Sequence, residues 1–483
     1  MNPNNLFEPH KLKNLLFNCS YYLLNILFPL LTYPYVARVL GVDSIGLGNL
    51  AISLGTYFST IASLGIPIYG IREVAKCRED KSKLSYLVSE LILINAVGVL
   101  VSIVIYAALI MYVDAFREHV FIYMLAGFNL VLSFFQIDWF FQGIEKFKVL
   151  MVRNFIVKLV SLIMVYSLIS QPSNVGEYVF ISLLGLSLAN VINLMESRKY
   201  VKLTCTNIDL MRHFKYIVFF SSTRIVSTVY TVLDSVILGL LTSNYYVGLY
   251  STAIRLVRVV ITIISSITMV FFADTARQKI KESTDTGRLT DLFIFIFIIC
   301  APIAIFLAMF SDLIVVSFAG NEFIDASETL RILSTLIIIS IGTNFLGMQV
   351  LYARNLEKYV LQSLSIGAVL CICFNLLLTP IYKHNGAAYS TVLAEFGILI
   401  YQIYIIRSNK IQVFSNLCKR LNRTFIVILL YFISIVIISM LKLAGQGFSS
   451  LAILSIYSII SYPILLYIVK EPVFIKVIEG FRK

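Results

Sequence analysis

"VFFSSTRIVSTVYTVLDSVILGLL", residues 218–241, reads as one apolar helix long enough to cross a bilayer, and it holds Arg224 and Asp234 inside the run. Ten residues separate the two charges, roughly 15 Å along a helix axis. The rotation over that distance leaves them on different faces, so they do not form an internal ion pair. A charge on a membrane helix normally faces a bundle interior or a wet cavity. The stretch therefore belongs to a bundle with an interior rather than to a lone anchor.

Outward from this helix, the chain of 483 residues is 59% hydrophobic and 13% charged, with a mean hydropathy of +0.88. Hydrophobic windows fall near 14–38, 45–68, 85–112, 120–142, 149–170, 176–195, 216–241, 247–272, 290–311, 329–351, 359–380, 386–406, 424–441 and 449–469. The expected fold is an all-α polytopic membrane protein with about 14 transmembrane helices. Twelve is the lower alternative, because Pro29 and Pro34 interrupt 14–38 and the bounds of 359–380 are vague. The polar connections are each under about 25 residues, too short for a soluble catalytic domain. "MNPNNLFEPHKLKN" lacks the apolar core and small-residue site of a signal peptide, so the first segment is read as a retained span.

Basic residues set the orientation. The connections on the side of the N-terminus carry 31 of the 39 Lys and Arg residues. The opposite connections hold little beyond Arg38, Arg117, Arg331, Lys383 and Lys442. Both termini are therefore expected in the cytoplasm. The formal charge of +13 is an orientation signal, and no folded basic domain exists to bind nucleic acid. Asp43, Asp114, Glu118, Glu177, Asp312, Glu322, Asp325 and Glu328 on the outer side are read as solubilising loop residues.

"SIGLGNLA" (44–51) and "YVGLYSTA" (246–253) align at a spacing of 202 residues, Gly46 against Gly248 and Ala51 against Ala253. Each follows an odd-numbered span and opens the next. This predicts two parallel-repeat six-helix bundles around a central cavity, 1–200 and 201–408, with a C-terminal helix pair over 409–483. Transporters use such repeats for alternating access.

The charges inside the spans are the candidate site. Asp234 and Arg255 lie at similar depth on antiparallel neighbours and are expected to pair. Arg258, three residues on, shares a broad face with Arg255. With Arg224, these arginines form a candidate cationic lining for an anionic substrate, since guanidinium meets phosphate bidentately. The competing reading is that they knit helices together, or, for Arg224, snorkel to headgroups. Arg153 and Lys158, just inside span 5, either meet phosphate or obey the positive-inside rule. Glu90 and Glu395, like Asp234, are candidate proton- or sodium-coupling groups. Trp139, beside Asp138, is read as an interface anchor.

Other chemistry is missing. His10, His119, His213 and His384 show no metal-ligand spacing, the seven cysteines are scattered, and no phosphate loop, dinucleotide fingerprint or nucleophile elbow occurs. No cofactor, metal or ATP hydrolysis is expected. A membrane glycosyltransferase or ligase is disfavoured by the short outer connection 312–328.

Four stretches carry a resemblance. "PLLTYPYVARVLGVDSIGLGNLA" (29–51), "DWFFQGIEKFK" (138–148), "GLYSTAIRLVRVV" (248–260) and "FAGNEFIDASETLRILS" (318–334) resemble the polysaccharide-exporting flippases of the multidrug/oligosaccharidyl-lipid/polysaccharide superfamily. The resemblance implies a bacterial inner-membrane flippase, not an enzyme. Its implied cargo is an undecaprenyl-pyrophosphate-linked oligosaccharide, an O-antigen or related surface-polysaccharide unit, moved to the outer leaflet. It also implies membrane lipids, a polymerase and a chain-length regulator as partners. The peptidoglycan-precursor flippases are similar, but their first bundle supplies several cavity arginines. Here Lys11 and Lys13 edge span 1, Arg38 stands at its exit, and residues 45–68 hold no charge. Multidrug exporters of the superfamily, which usually need acidic cavity residues, are the other alternative. A scaffold role is a third.

Overall fold

The computed structural model describes residues 9–204, 208–277, 286–413, 417–440 and 448–482, and every regular element among them is a helix. Eleven of these helices are long and apolar enough to cross a membrane. One of the eleven, Glu357–Ser408, is two helices joined at Lys383, whose φ of 52° and ψ of −127° no helix contains. The all-α, multi-spanning fold is as expected. The chain divides into two compact units, Met1–Gly248 and Leu249–Lys483.

The first unit opens with α1 (Pro9–Ser63), itself two helices joined at Gly41. The expected loop between spans 1 and 2 is thus a single residue. Its φ of 75° lies in the left-handed region that a glycine enters without steric penalty. The polar connection expected over 69–84 is mostly helical. It holds α2 (Ile66–Cys77), amphipathic, which buries Ile66, Tyr69, Gly70 and Val74. Asp80 then caps α3 (Lys81–Tyr112) by accepting from the backbone N–H groups of Ser82 and Lys83, both at 3.1 Å. After the short α4 (Asp114–Arg117), the fourth span is split into α5 (Val120–Ser133) and α6 (Asp138–Gly143). The break frees backbone carbonyls inside the protein. Asn95 of α3 satisfies two of them, donating to Ser133 O at 3.2 Å and Phe134 O at 3.1 Å.

That break also turns Trp139 inward, which corrects the expectation of an interface anchor. Trp139 is only 3% exposed, and its ring lies against Gly70, where an added Cβ would stand 2.5 Å from Cε3. Its indole N–H donates to Gln136 O at 3.1 Å. With Phe140 and Phe141 it closes a core over Leu84, Val88 and Leu91 of α3.

The unit continues through α7 (Phe147–Leu168) and α8 (Val175–Ser197) to α9 (Met211–Leu241), and residues 201–204 and 208–210 between them hold no regular element. This last helix packs on α1 and α2 within the first unit. Small residues permit it: a Cβ on Gly239 would stand 2.5 Å from Leu50 Cδ2. The two repeat glycines meet beside it. A Cβ on Gly46 would lie 2.9 Å from Gly248 N, and one on Gly248 would lie 2.3 Å from Val42 O. The aligned stretches are thus in mutual contact at their glycines.

Helix α10 (Asn244–Arg277) leads into the second unit, followed by α11 (Thr286–Met309), α12 (Ser311–Ala319), α13 (Ala326–Phe345) and the bipartite α14 (Glu357–Ser408). The reversal of α14 at Lys383 is tied to α13. Asn385 donates to Glu328 at 2.8 Å and accepts from Thr329 at 2.7 Å. A π-helical turn, Leu346–Leu351, places buried Gln349 where its amide donates to Thr268 O at 2.5 Å. The unit ends with α15 (Leu417–Met440), α16 (Phe448–Ile468) and amphipathic α17 (Pro472–Arg482). Large apolar side chains such as Leu100, Val104, Ile163, Leu377 and Ile459 point outward while polar ones are buried. Lipid, not water, suits that surface.

Candidate functional site

Two buried cations of the first unit lie on α7, with polar side chains of α6 and α8 beside them. Arg153 and Lys158 are five residues apart on α7 and only 6% and 7% exposed. The break before α6 points Asp138 at Arg153. Arg153 Nη2 stands 3.2 Å from Asp138 Oδ1, and the Asn193 amide of α8 donates to the same oxygen. Arg153 Nε and Nη1 and Asn193 Oδ1 have no hydrogen-bond partner. The Lys158 ammonium lies over the Phe28 ring, 4.7 Å from its centroid. Opposite it, a Cβ on Gly185 would stand 3.0 Å from Ser161 Oγ and 3.8 Å from Lys158 Nζ, so the absence of a side chain keeps this space open.

Two buried cations here face one carboxylate. Among the described residues no carboxylate lies within ion-pair distance of Lys158. An excess positive charge with unused guanidinium donors is a lining that accepts an anion.

Arg224 and Asp234 both lie on α9 in the first unit. Arg224 is half-buried, with its Nε enclosed and unpartnered; Asp234 is buried at 2% exposure. In the second unit, α10 carries Arg255 half-buried and Arg258 exposed. On the second half of α14, Glu395 is buried and accepts from two hydroxyls of α13, Thr343 and, at 3.4 Å, Ser340.

Glu90, 1% exposed on α3, is fully engaged. It accepts from the backbone N–H of Asp209 at 2.9 Å, from the Arg212 guanidinium, and lies 2.9 Å from His213 Nε2. Neither Arg212 nor His213 was singled out from the sequence. His213 sits in the first turn of α9, at a polar connection that gives a solitary histidine no periodic signal. Asp138 and Arg153 were both noted, but their pairing depends on the break between α5 and α6.

The profile of the family described as "Polysaccharide biosynthesis protein" matches residues 11–273, more than half of the chain. The chain belongs to this family. Among its described residues this member of the family has eleven helices long and apolar enough to cross a membrane. The family match contains Glu90, Arg153, Lys158, Arg224, Asp234, Arg255 and Arg258. Over 400 residues the chain is 22% identical to a candidate O-antigen transporter of Escherichia coli (strain K12), covering 80% of this chain and 95% of that protein. A second candidate O-antigen transporter, from Shigella dysenteriae, is 21% identical over 389 residues, 79% of this chain and 96% of that one. Among solved structures, the fold is similar to the lipid II flippase MurJ in its inward closed conformation. The TM-score is 0.73 at 15% identity, over 94% of this chain and 98% of that one. An inward-facing multidrug resistance transporter of the MATE family matches with a TM-score of 0.60 at 14% identity, over 80% and 95%.

Proposed function

We propose that this protein is a flippase of the bacterial inner membrane. It moves an undecaprenyl-pyrophosphate-linked oligosaccharide, an O-antigen unit or a related surface-polysaccharide unit, from the cytoplasmic to the outer leaflet. The termini are cytoplasmic, and two six-helix bundles with a C-terminal helix pair alternate access to a central cavity. The observation that carries this reading is the family match over 11–273, which spans every basic residue proposed to meet the pyrophosphate.

Arg224, toward the cytoplasm on α9, receives the pyrophosphate first. Asp234, deeper on the same helix, holds Arg255 of α10 and leaves Arg258 to meet the substrate in mid-membrane. Arg153 and Lys158 add the positive excess of the first unit, and Arg153 is itself positioned by Asp138. Recognition by guanidinium needs its planar fork, which an ammonium lacks. Transport runs on an ion gradient or the membrane potential, with Glu90, Asp234 and Glu395 as the carboxylates that a proton or sodium ion would involve.

Competition binding tests the substrate class. A lipid pyrophosphate should displace a fluorescent lipid-linked glycan from purified protein, and an aromatic cation should not. Arg255→Lys and Arg258→Lys should each weaken that binding about tenfold. Displacement by the aromatic cation alone would turn the reading toward drug export.

A further inference from the structure

His213 is enclosed by three elements and contacts a group from each. From α2, Tyr69 Oη lies 2.7 Å from Nδ1. From α3, Glu90 Oε2 lies 2.9 Å from Nε2. From α9 itself, Arg212 Nε donates to the same Nε2 at 3.0 Å. The imidazole is 3% exposed. Beside it opens a cavity of about 610 Å³, lined by Glu73, Lys76 and Cys77 of α2, Lys83 and Tyr86 of α3, and Arg212. Glu73 is held by Lys76 at 2.7 Å, and Lys83 by Asp80 at 3.3 Å. The Arg212 backbone N–H donates to Asp209 Oδ1 at 3.4 Å, and Tyr216 stacks on Tyr69 at 5.9 Å.

One ring nitrogen thus lies within reach of a donor and of an acceptor, and it cannot serve both. With Nε2 unprotonated, Arg212 donates to it, and the ring hydrogen on Nδ1 goes to Tyr69 Oη. A proton arriving through the cavity converts Nε2 into a donor. It then bonds Glu90, while Arg212 Nε loses its acceptor and faces a second cation at about 3 Å, a repulsive contact in a weakly screened site. Arg212 can leave, because its side chain is 51% exposed whereas that of Glu90 is 2% exposed.

We propose that His213 is a proton-binding site in which the proton and Arg212 compete for Glu90. Proton uptake releases the guanidinium into the cavity, and proton loss recaptures it. The carboxylate keeps its bond to Asp209 N throughout. The segment between α8 and α9 therefore stays attached to α3, where Ser85 and Ser89 also accept from Lys202 N at 3.2 Å and Thr204 N at 2.9 Å. The exchange adds a mobile positive charge at the end of α9 that leads toward Arg224.

The test uses the full chain in lipid nanodiscs and an arginine-selective dicarbonyl reagent, with modification of Arg212 read by mass spectrometry. Rates are divided by those of an unstructured peptide of the same local sequence. Between about pH 8 and about pH 5.5 the corrected rate at Arg212 should rise about tenfold in the unaltered protein. In His213→Gln it should stay flat. Tyr69→Phe removes the acceptor of Nδ1–H, so there the rise should move to lower pH. It serves as the test if His213→Gln does not fold. A flat profile in the unaltered protein, the same rise in His213→Gln, or an unmoved midpoint in Tyr69→Phe would each overturn the exchange.

Discussion

At the scale of single residues, burial and pairing decide which charges are structural and which remain available. Arg153 is anchored through Nη2 to one carboxylate, leaving the guanidinium nitrogens Nε and Nη1 unused. Removing Asp138 leaves that cation buried without a counter-charge, which typically costs 3–5 kcal/mol. Asp138→Ala should therefore lower the thermal midpoint of the purified protein strongly. Adding Arg153→Met should recover much of the loss, because the stranded charge is gone. Additive losses in the double variant would show that the pair is not coupled. Some of this was legible from residue types alone: Arg153, Lys158, Asp138 and Glu90 all stand out as polar groups in apolar runs. Their partners were not. Glu90 finds Arg212 and His213 more than 120 residues away, a separation no local pattern encodes. Trp139 was misplaced because a tryptophan beside an apolar run normally marks an interface, whereas here Gly70 makes an interior slot for it.

At the scale of elements, helix existence was legible and helix ends were not. Apolar windows located the described spans, since a backbone crossing hydrocarbon must be helical. The breaks at Gly41 and Lys383 fall in the gaps between the windows 14–38 and 45–68 and between 359–380 and 386–406, whereas the break at Phe134–Ile137 depends on what accepts the freed backbone groups, as Asn95 does. The repeat glycines are the informative case. They were noticed as a weak alignment, and they turn out to touch. A side chain at either position cannot fit while α1 and the start of α10 are in contact. Gly46→Leu should force that contact apart, exposing Leu50, which is now 2% exposed. A cysteine placed at Leu50 should then react several-fold faster with an impermeant thiol reagent from outside. An unchanged rate in a folded variant would show that the close approach is not required.

At the scale of the whole molecule, the distribution of Lys and Arg makes the firmest sequence argument and the simplest prediction. Single cysteines at Ser82 and Asn409 should be labelled only from the cytoplasm, and those at Glu177 and Asn321 only from outside. Reversal of either set would invert the proposed direction of transport. On the family match and the buried positive excess we propose that the cargo is an anionic lipid-linked glycan. The most direct measurement of that claim is flipping itself. Purified protein in vesicles should transfer an undecaprenyl-pyrophosphate-linked oligosaccharide to the opposite leaflet without ATP. The rate should exceed that of protein-free vesicles and fall when Arg255 and Arg258 are both replaced by alanine. Transfer no faster than in protein-free vesicles, under every imposed ion gradient and membrane potential, would contradict the account.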